Sequence, residues 1–385
     1  MTSAAPFLPP FALLWRWSAG ADALLEWRSL PEEQRRRFLE GARRFRCREL
    51  FYYYLAGDLP ASAAEEFAAA YRSVAQLSFR QEQALNELSA LFARERVRSV
   101  PFKGAWLARA VYPAPALRRR GDIDLLIPSE ECRRARRLLL SAGWRSHRRG
   151  SAHHLPLLCR GGVALELHFA LPRTGAAAMR ELWRFLEEER VRGEDGKYEI
   201  PPELHFLILL QHACGHRWTN GAKFLIDLGF LTARFRLDRE RIEWFRSRFQ
   251  FCRPELLFAA FPKLFGPEFS SEAAVPDSAV RLLRRMLTEP LPGCSLRRME
   301  LEMQAPDRFS PRWWLARLRG LAPASSMERH RVGWRGVLPW YFRDCAEKLR
   351  AFRRGVSEPA DPALRRYWND IQELEQQLRP EEPAR

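Results

Sequence analysis

Apolar residues in the first quarter of the chain recur every three or four positions, which is the period of an amphipathic helix. One helical stretch is expected to begin at the Pro-Glu-Glu sequence of residues 31–33 and to continue through Tyr52. A second is expected over residues 61–95. The Gly- and Pro-containing segment 56–60 separates the two, because both residue types interrupt helices.

From Val97 onward the pattern changes to the alternation of period two that predicts strands. Two helices are expected among these strands, at residues 105–111 and 130–142, and Gly161 with Gly162 is typical of a two-residue hairpin turn. The predicted strands are residues 98–102, 122–127, 144–147, 153–159 and 163–169. This order predicts a small mixed sheet with helices packed mainly on one face.

The chain returns to helical periodicity after Pro172, most strongly over residues 203–235. We therefore predict the α+β class, with a small mixed β-sheet core flanked by N-terminal and C-terminal helical regions. A chain of 385 residues also exceeds what one hydrophobic core usually supports. The predicted division is an N-terminal helical region over residues 1–94, a core over 95–175 and a C-terminal helical region over 176–385.

The chain is strongly basic. Lys and Arg outnumber Asp and Glu by 64 to 47, which gives a formal net charge of +17. Such an excess attracts phosphate groups on nucleotides, nucleic acid or anionic lipid without choosing among them. A genome composition that favours arginine codons explains the excess equally well. Nucleic acid is therefore one candidate partner among several.

Nothing in the sequence indicates export or membrane insertion. The seven cysteines are scattered and include no Cys-x-x-Cys pair, which is typical of a reducing compartment. The apolar segment of residues 6–15 is broken by prolines and lacks the basic residues that begin a signal peptide. No apolar run approaches the ~18 residues of a membrane-spanning helix. We expect a cytoplasmic protein without a transmembrane segment.

Three acidic residues in the predicted sheet have the chemistry of a metal site. Asp122 and Asp124 project from the same face of one strand, and Glu166 shares the polar face of a later strand with His168. Carboxylate oxygens suit Mg²⁺, and three carboxylates can hold two such ions about 4 Å apart. Catalytic and metal-binding roles are therefore predicted for Asp122, Asp124 and Glu166, with Mg²⁺ as the metal and Mn²⁺ as its alternative.

Two roles within this triad can be predicted more finely. Asp124 is expected to bridge both ions, because its strand position is adjacent to Glu166 in the proposed sheet. Replacing either of these two residues by its amide is expected to relieve repulsion among the carboxylates and to stabilise the metal-free protein slightly.

Basic and small residues near the acids are candidates for contacts with phosphate. Lys103 and Gly104, at a predicted strand-to-helix turn, can supply an ammonium group and backbone N–H donors. The three arginines of residues 118–120 come just before the acids and can bind phosphate through two nitrogens. Lys103 and Arg118 are expected at a cleft rather than in the core. The predicted substrate-binding residues are Lys103, Gly104, Arg118, Arg120 and His168.

These residues together resemble a known family. Lys103-Gly104, Arg118 and the run of residues 121–127 are similar to the polymerase-beta-like nucleotidyltransferase superfamily, most specifically to its uncharacterised bacterial branch with a Lys-Gly motif. The similarity covers about residues 85–235. It continues through residues 142–144, residues 166–168, His212, His216 and Asp227.

The resemblance implies that the sheet is a nucleotidyltransferase core. It further implies transfer of a nucleoside monophosphate from a nucleoside triphosphate, ATP among the candidates, to an acceptor, with two Mg²⁺ ions. The acceptor stays open among a small molecule, a peptide and RNA. An RNA-modifying toxin of the same superfamily is a further interpretation that fits the positive charge.

One departure from the superfamily pattern leaves an alternative function open. The superfamily has Gly-Ser or Gly-Gly in the first turn, whereas this chain has Gly104-Ala105. Ala105 has no hydroxyl group, so either Lys103 takes over the contact with phosphate or nucleotide binding is weak. The alternative is a binding or regulatory protein that keeps the fold with weak or no catalysis.

Several histidines and a lysine have structural and functional interpretations. His168 suits substrate contact and a structural role equally. His212 and His216 are four residues apart on a predicted helix, which is compatible with zinc, but core packing or substrate contact explains them more simply. Lys223 and Asp227 are interpreted most simply as an ion pair within one helix, while the resemblance also makes Asp227 a candidate for the border of the cleft.

Three arginine-rich segments also have a structural and a functional interpretation. Residues 133–137 are interpreted as the solvated face of a helix. Segments 313–319 and 340–343 mix aromatic residues with arginine, which suits a membrane surface or nucleic acid. Core helices whose arginines extend to solvent explain these two segments more simply.

Overall fold

A computed structural model describes most of the first two-thirds of the chain and two helices beyond it. The described residues are 10–146, 154–155, 158–171, 174–192, 198–216, 218, 222–249, 251, 277–288 and 362–377. The interpretations of segments 313–319 and 340–343 lie outside the described residues.

The N-terminal region is helical, as predicted, but the expected stretch through Tyr52 is divided in two. Arg46 has a left-handed backbone with φ of 55°, and this turn separates the third helix from the fourth. The turn contains neither Gly nor Pro, so no local signal in the sequence predicts it. The helices are α1 (Pro10–Ser18), α2 (Ala23–Ser29), α3 (Glu32–Arg44) and α4 (Arg48–Leu55).

A long helix, α5 (Ala61–Arg94), connects the helical region with the sheet. It begins after the predicted break, where a short 3₁₀ turn (Ala56–Asp58) precedes Pro60. The first half of α5 buries Phe67 among the N-terminal helices. Its second half buries Leu88 and Phe92 against the sheet, so one helix belongs to two hydrophobic clusters.

The sheet is mixed and has five strands, as the alternating pattern predicted. The strand order is β1-β2-β5-β4-β3; β2 and β5 are parallel, and the other neighbours are antiparallel. Gly161 and Gly162 have φ of 57° and 76° and form the predicted hairpin turn. The strands are β1 (Val100–Pro101), β2 (Ile123–Leu126), β3 (Arg145–Ser146), β4 (Leu158–Arg160) and β5 (Val163–His168).

Two short helices complete this core, α6 (Lys103–Ala110) after β1 and α7 (Cys132–Ser141) after β2. The apolar side chains of β2 and β5, among them Ile123 and Leu165, pack on one sheet face against α5 and α7. Side chains alternate along a strand, so the acidic residues project from the opposite face.

The C-terminal region is also helical, and the predicted segment 203–235 forms two helices. The N-terminal and C-terminal helices share one hydrophobic cluster, which includes Leu13 of α1 and Leu228 of α10. None of the described helices is long and apolar enough to cross a membrane. The helices are α8 (Ala176–Arg192), α9 (Pro202–Gly215), α10 (Ala222–Arg234), α11 (Arg239–Phe249), α12 (Asp277–Thr288) and α13 (Pro362–Gln377).

The three consecutive arginines before β2 connect three different helices. Arg118 is buried and donates two hydrogen bonds of 2.8 Å to Asp227 on α10. Arg119 approaches Glu49 on α4, with 3.5 Å between Nε and Oε1. Arg120 is buried and donates to Ser78 and Glu82 on α5. The segment before the acidic strand therefore attaches the sheet to helices from both ends of the chain.

The buried pair between Arg118 and Asp227 predicts a large effect of a small substitution. Asp227→Asn keeps the shape of the side chain but leaves the Arg118 charge buried without its counter-ion. We expect the free energy of unfolding in urea to fall by about 3–5 kcal/mol. The double variant Arg118→Met/Asp227→Leu should recover most of this decrease, because neither charge is then buried.

The control for this prediction is Glu33→Gln. Glu33 pairs with Arg36 on the surface, where both side chains are more than half exposed. Its removal should change the free energy of unfolding little, because exposed pairs contribute little. Equal decreases in the Asp227 and Glu33 variants would contradict the special role of the buried pair.

Candidate active site

Asp124 and Glu166 lie side by side because β2 and β5 pair in parallel with these two residues in register. Both project from the polar face of the sheet, as the alternation of side chains requires. Asp124 is buried and Glu166 is partly buried. Two carboxylates on neighbouring strands are therefore held by the backbone at one place.

His168 follows Glu166 on the same face of β5 and contacts both carboxylates. Its Nε2 atom lies 3.0 Å from Oδ1 of Asp124 and 3.2 Å from Oε2 of Glu166. A carboxylate only accepts hydrogen bonds, so Nε2 is the donor in either contact. The edge of this imidazole also meets the Phe102 ring, with 4.9 Å between centroids, which limits its rotation.

Potential metal-ligand atoms of three residues lie within 4.8 Å of one another: those of Asp124, Glu166 and His168. Asp122 is partly buried and stands two residues before Asp124, at the entrance to β2. It is not part of the compact group, but the charges of Asp124 and Glu166 act on it. The site thus has a tight centre of two carboxylates and an imidazole, with a third carboxylate beside it.

Lys103 supplies positive charge to the centre from the first residue of α6. Its Nζ atom lies 3.1 Å from Oδ1 of Asp124 and 3.4 Å from Nε2 of His168, and the side chain is buried. The backbone of Lys103 is left-handed, with φ of 46°, a conformation that costs a residue with a side chain about 1–3 kcal/mol. The preceding residue, Phe102, donates its N–H to the carbonyl of Asp124 over 3.3 Å. This strained turn directs the ammonium group at the acids.

The charges in the site are unevenly balanced. Burial opposes ionisation of Asp124, but the Lys103 ammonium and the hydrogen bond from His168 outweigh it and hold the pKa of Asp124 below its usual range. Burial is likewise outweighed at Glu166, chiefly by the hydrogen bond from His168, so that its pKa is also lowered. Burial and the charges of Asp124 and Glu166 instead raise the pKa of Asp122 to about 6.

These directions contradict the expectation that an amide at position 124 or 166 stabilises the metal-free protein. Both carboxylates are stabilised as anions by basic neighbours. The repulsion is concentrated in Asp122, which has the acids as neighbours and no hydrogen bond among the causes of its shifted pKa.

The other predicted phosphate contacts lie behind the centre rather than in it. Gly104 is buried, and a Cβ atom on it would lie 2.4 Å from Nη1 of Arg118. Arg118 is therefore packed under the α6 turn and held by Asp227, and Arg120 faces α5. Lys103 and Arg118 were expected at a cleft and outside the core. This expectation is wrong about burial, because both side chains are buried.

The contacts of two residues beside the site, Asp227 and His154, do not follow from the sequence. Asp227 was interpreted as the partner of Lys223, but its carboxylate accepts hydrogen bonds from Arg118 and, over 2.7 Å, from Tyr112. The backbone of His154 pairs with that of His168 in an isolated antiparallel β-bridge, and the centroids of their rings are 5.2 Å apart. The contact between Arg118 and Asp227 spans 109 residues of sequence, so no local pattern predicts it. The contact between His154 and His168 has no periodic pattern either.

His212 on α9 and His216, the residue after its last turn, lie near the same centre. Burial and the charge of Lys103 hold the pKa of His212 well below its usual range and lower the pKa of His216 as well. Their rings lie 4.3 Å apart. The potential zinc ligand between them, Cys214, is instead buried in the large hydrophobic cluster. These histidines are therefore neutral groups beside the acids, close enough to feel the charge of Lys103.

Comparison with known proteins identifies one family. The model of a family described as uncharacterised nucleotidyltransferase matches residues 25–261, which is more than half of the chain. The matched segment contains the sheet, the acids, Lys103 and the helices α9 and α10. A match was found neither among curated proteins nor among solved structures.

The contact between Gly104 and Arg118 generates a prediction. Gly104→Ala places a methyl group against a guanidinium that Asp227 holds in position, so the α6 turn must shift. We expect a lower melting temperature and weaker nucleotide binding. Gly121→Ala is the matched control, because a Cβ atom there meets nothing within 4 Å. If both variants melt and bind nucleotide like the unaltered protein, Gly104 is not required for packing.

The raised pKa of Asp122 generates a prediction about pH. Its pKa of about 6 exceeds the usual 3.8, so ionised Asp122 disfavours the folded state once the pH rises through this range. Asp122→Asn should therefore stabilise the metal-free protein at pH 7 by about 1–2 kcal/mol, after solvent screening is considered. The gain should disappear below about pH 4, where Asp122 is protonated in both states. Urea unfolding at both pH values measures it; a gain that is equal at both would contradict the assignment.

Proposed function

The chain belongs to the family of uncharacterised nucleotidyltransferases, and on this premise we propose that it transfers a nucleoside monophosphate from a nucleoside triphosphate to an acceptor. Asp122, Asp124 and Glu166 are the proposed ligands of two divalent cations, Mg²⁺ or Mn²⁺. The observation that carries the proposal is the in-register pairing of Asp124 with Glu166 on two parallel strands.

The donor set fits a hard divalent cation. Carboxylate oxygens are the preferred ligands of Mg²⁺, and Asp124 and Glu166 offer them within 4.8 Å of each other and of the His168 imidazole. Asp122 stands beside this pair, and burial together with the charges of Asp124 and Glu166 raises its pKa. When bound, the cations supply charge neutralisation for the triphosphate and activation of the acceptor hydroxyl.

Lys103 has a proposed role in binding the triphosphate. Its ammonium group is the counter-ion of Asp124, at 3.1 Å, in the nucleotide-free protein. We propose that it turns towards the triphosphate when nucleotide is bound. The flexible stem of a lysine permits this movement, and the role compensates for the hydroxyl that Ala105 lacks.

His168 is proposed to position the two carboxylates. Its single Nε2–H group lies within hydrogen-bond distance of both Asp124 and Glu166 and can donate to one of them at a time. Because the ring is buried against Phe102, it holds the carboxylates rather than moving with substrate. A direct contact between His168 and substrate stays a prediction.

The rival function is a binding or regulatory protein of the same fold. The pairing of Lys103 with Asp124 is the observation that favours it, because this bond neutralises the central acid without any metal. In that case nucleotide binds, but nothing is transferred. The acceptor of the enzyme reaction stays open among a small molecule, a peptide and RNA.

Two substitutions test catalysis separately from nucleotide binding. Glu166→Gln should reduce transfer in a single turnover by about 10²–10⁴-fold, because the acceptor hydroxyl loses its activating group. It should spare most of the nucleotide affinity, because Lys103 and Asp124 remain. Asp124→Asn should damage both. Transfer is measured as label moved from each labelled nucleoside triphosphate to components of a cell extract with Mg²⁺.

The control for these variants is Glu130→Gln, an exposed acid that pairs with Arg98 outside the site. It should leave transfer and binding unchanged. Full transfer by the Glu166 variant would contradict the proposed mechanism. If the unaltered protein binds nucleotide with Mg²⁺ but labels nothing, the regulatory alternative is favoured.

A further inference from the structure

Four arginines on α7 form a basic surface that the proposed reaction does not use. Arg133, Arg134, Arg136 and Arg137 are all exposed, and none forms an ion pair with another described residue. The helix itself contains no acidic residue. The acids that precede it, Glu130 and Glu131, are both bound by Arg98, at 2.7 and 2.6 Å.

This concentration of charge works against the stability of the helix. Arg133 and Arg134 lie in the first turn, where the helix dipole favours negative charge. Arg133 also faces Arg136 and Arg137 one turn further on, and like charges at this spacing repel. On α3, by contrast, Arg36 and Arg37 pair with acids of the same helix. An anionic partner would supply α7 with compensating charge that the described part of the chain does not provide.

The apolar side of α7 is already occupied. Cys132, Ala135 and Leu139 pack in the cluster behind the sheet, on the face opposite to the acidic residues. An amphipathic helix that enters a membrane needs a free apolar face, and the buried residues of α7 do not provide one. Its partner is therefore recognised by charge through guanidinium groups, which are well suited to phosphate oxygens.

We propose that the surface formed by Arg133, Arg134, Arg136 and Arg137, the α7 basic face, binds the phosphodiester backbone of a nucleic acid. Backbone contacts of this kind give affinity without sequence recognition. The α7 basic face and the acids lie on opposite faces of the sheet, so a polymer can reach both, whereas a small molecule cannot. That the bound nucleic acid is the acceptor rests on the proposed function; the binding itself does not.

The test measures binding of a fluorescein-labelled RNA hairpin of mixed sequence to the full chain, without nucleotide or metal. Replacing all four arginines by glutamine should weaken binding at least tenfold at moderate salt. The slope of log affinity against log salt should become shallower by about 0.9 for each arginine–phosphate ion pair that the substitutions remove from a duplex. A DNA duplex of the same sequence, measured in parallel, distinguishes RNA from DNA as the source of the phosphates.

A matched control removes the same number of charges elsewhere. Four exposed arginines that are each paired with an acid are replaced by glutamine: Arg36, Arg37, Arg72 and Arg192. This variant should bind the hairpin within about twofold of the unaltered chain, because its arginines are already neutralised by their partners and the α7 basic face is intact. Equal weakening in both variants would overturn the proposal, because net charge alone would then explain binding.

A second variant keeps the experiment decisive if the glutamine variant does not fold. Replacing Arg136 and Arg137 alone by glutamine should still weaken binding, and unchanged affinity in this variant would contradict the proposal, whereas lysine at all four positions keeps the charge and should retain most of the affinity. The glutamine variant is itself expected to melt no lower than the unaltered chain, because like-charge repulsion is removed. The proposal is also overturned if neither nucleic acid binds, or if anionic lipid vesicles bind through α7 and the hairpin does not. Label transfer is measured separately, so its failure leaves the binding result intact.

Discussion

The buried ion pair between Arg118 and Asp227 holds together the two parts of the chain that surround the acidic residues. It joins the loop before β2 to α10 across 109 residues of sequence. Both side chains are almost fully buried, so each charge depends on the other. The Arg118 guanidinium also lies under Gly104 and so supports the turn that carries Lys103. The site is consequently built by the sheet and by the C-terminal helices together.

Charge balance explains how three acidic residues are accommodated close to one another. Three carboxylates near one another are unfavourable unless cations compensate them. Lys103 compensates Asp124, and the Nε2–H group of His168, which lies within reach of both central carboxylates, donates to one of them at a time. At Asp122, burial and the charges of the other two acids together raise the pKa. Binding of a divalent cation and a negatively charged triphosphate is therefore expected to change the contacts that Lys103 and His168 make with the acids.

The sequence was informative where local patterns decide the structure. Alternation along residues 163–169 assigned the two faces of β5, and the Gly161-Gly162 pair located the hairpin. The resemblance carried by Lys103-Gly104 and the acids agrees with the family that the chain belongs to.

The sequence was uninformative where distant contacts decide. The arginines 118–120 were interpreted as phosphate ligands because they precede the acids, yet Arg118 binds Asp227 and Arg120 binds α5. The division between α3 and α4 at Arg46 has no local signal either, because a turn without Gly or Pro is stabilised by its surroundings. The partners of Arg118 and Arg120 lie on helices that are distant in sequence, so the residues near these arginines do not indicate that they are buried and paired.

The proposed function requires the carboxylates of β2 and β5 to bind a divalent cation beside the triphosphate. A crystal structure with Mn²⁺ and a non-hydrolysable nucleoside triphosphate tests it directly, because anomalous scattering locates the metal. We expect anomalous density between Asp124 and Glu166, with the Lys103 ammonium moved from Asp124 to a phosphate oxygen. Nucleotide bound elsewhere, or Lys103 still paired with Asp124 and no metal at the acids, would contradict it.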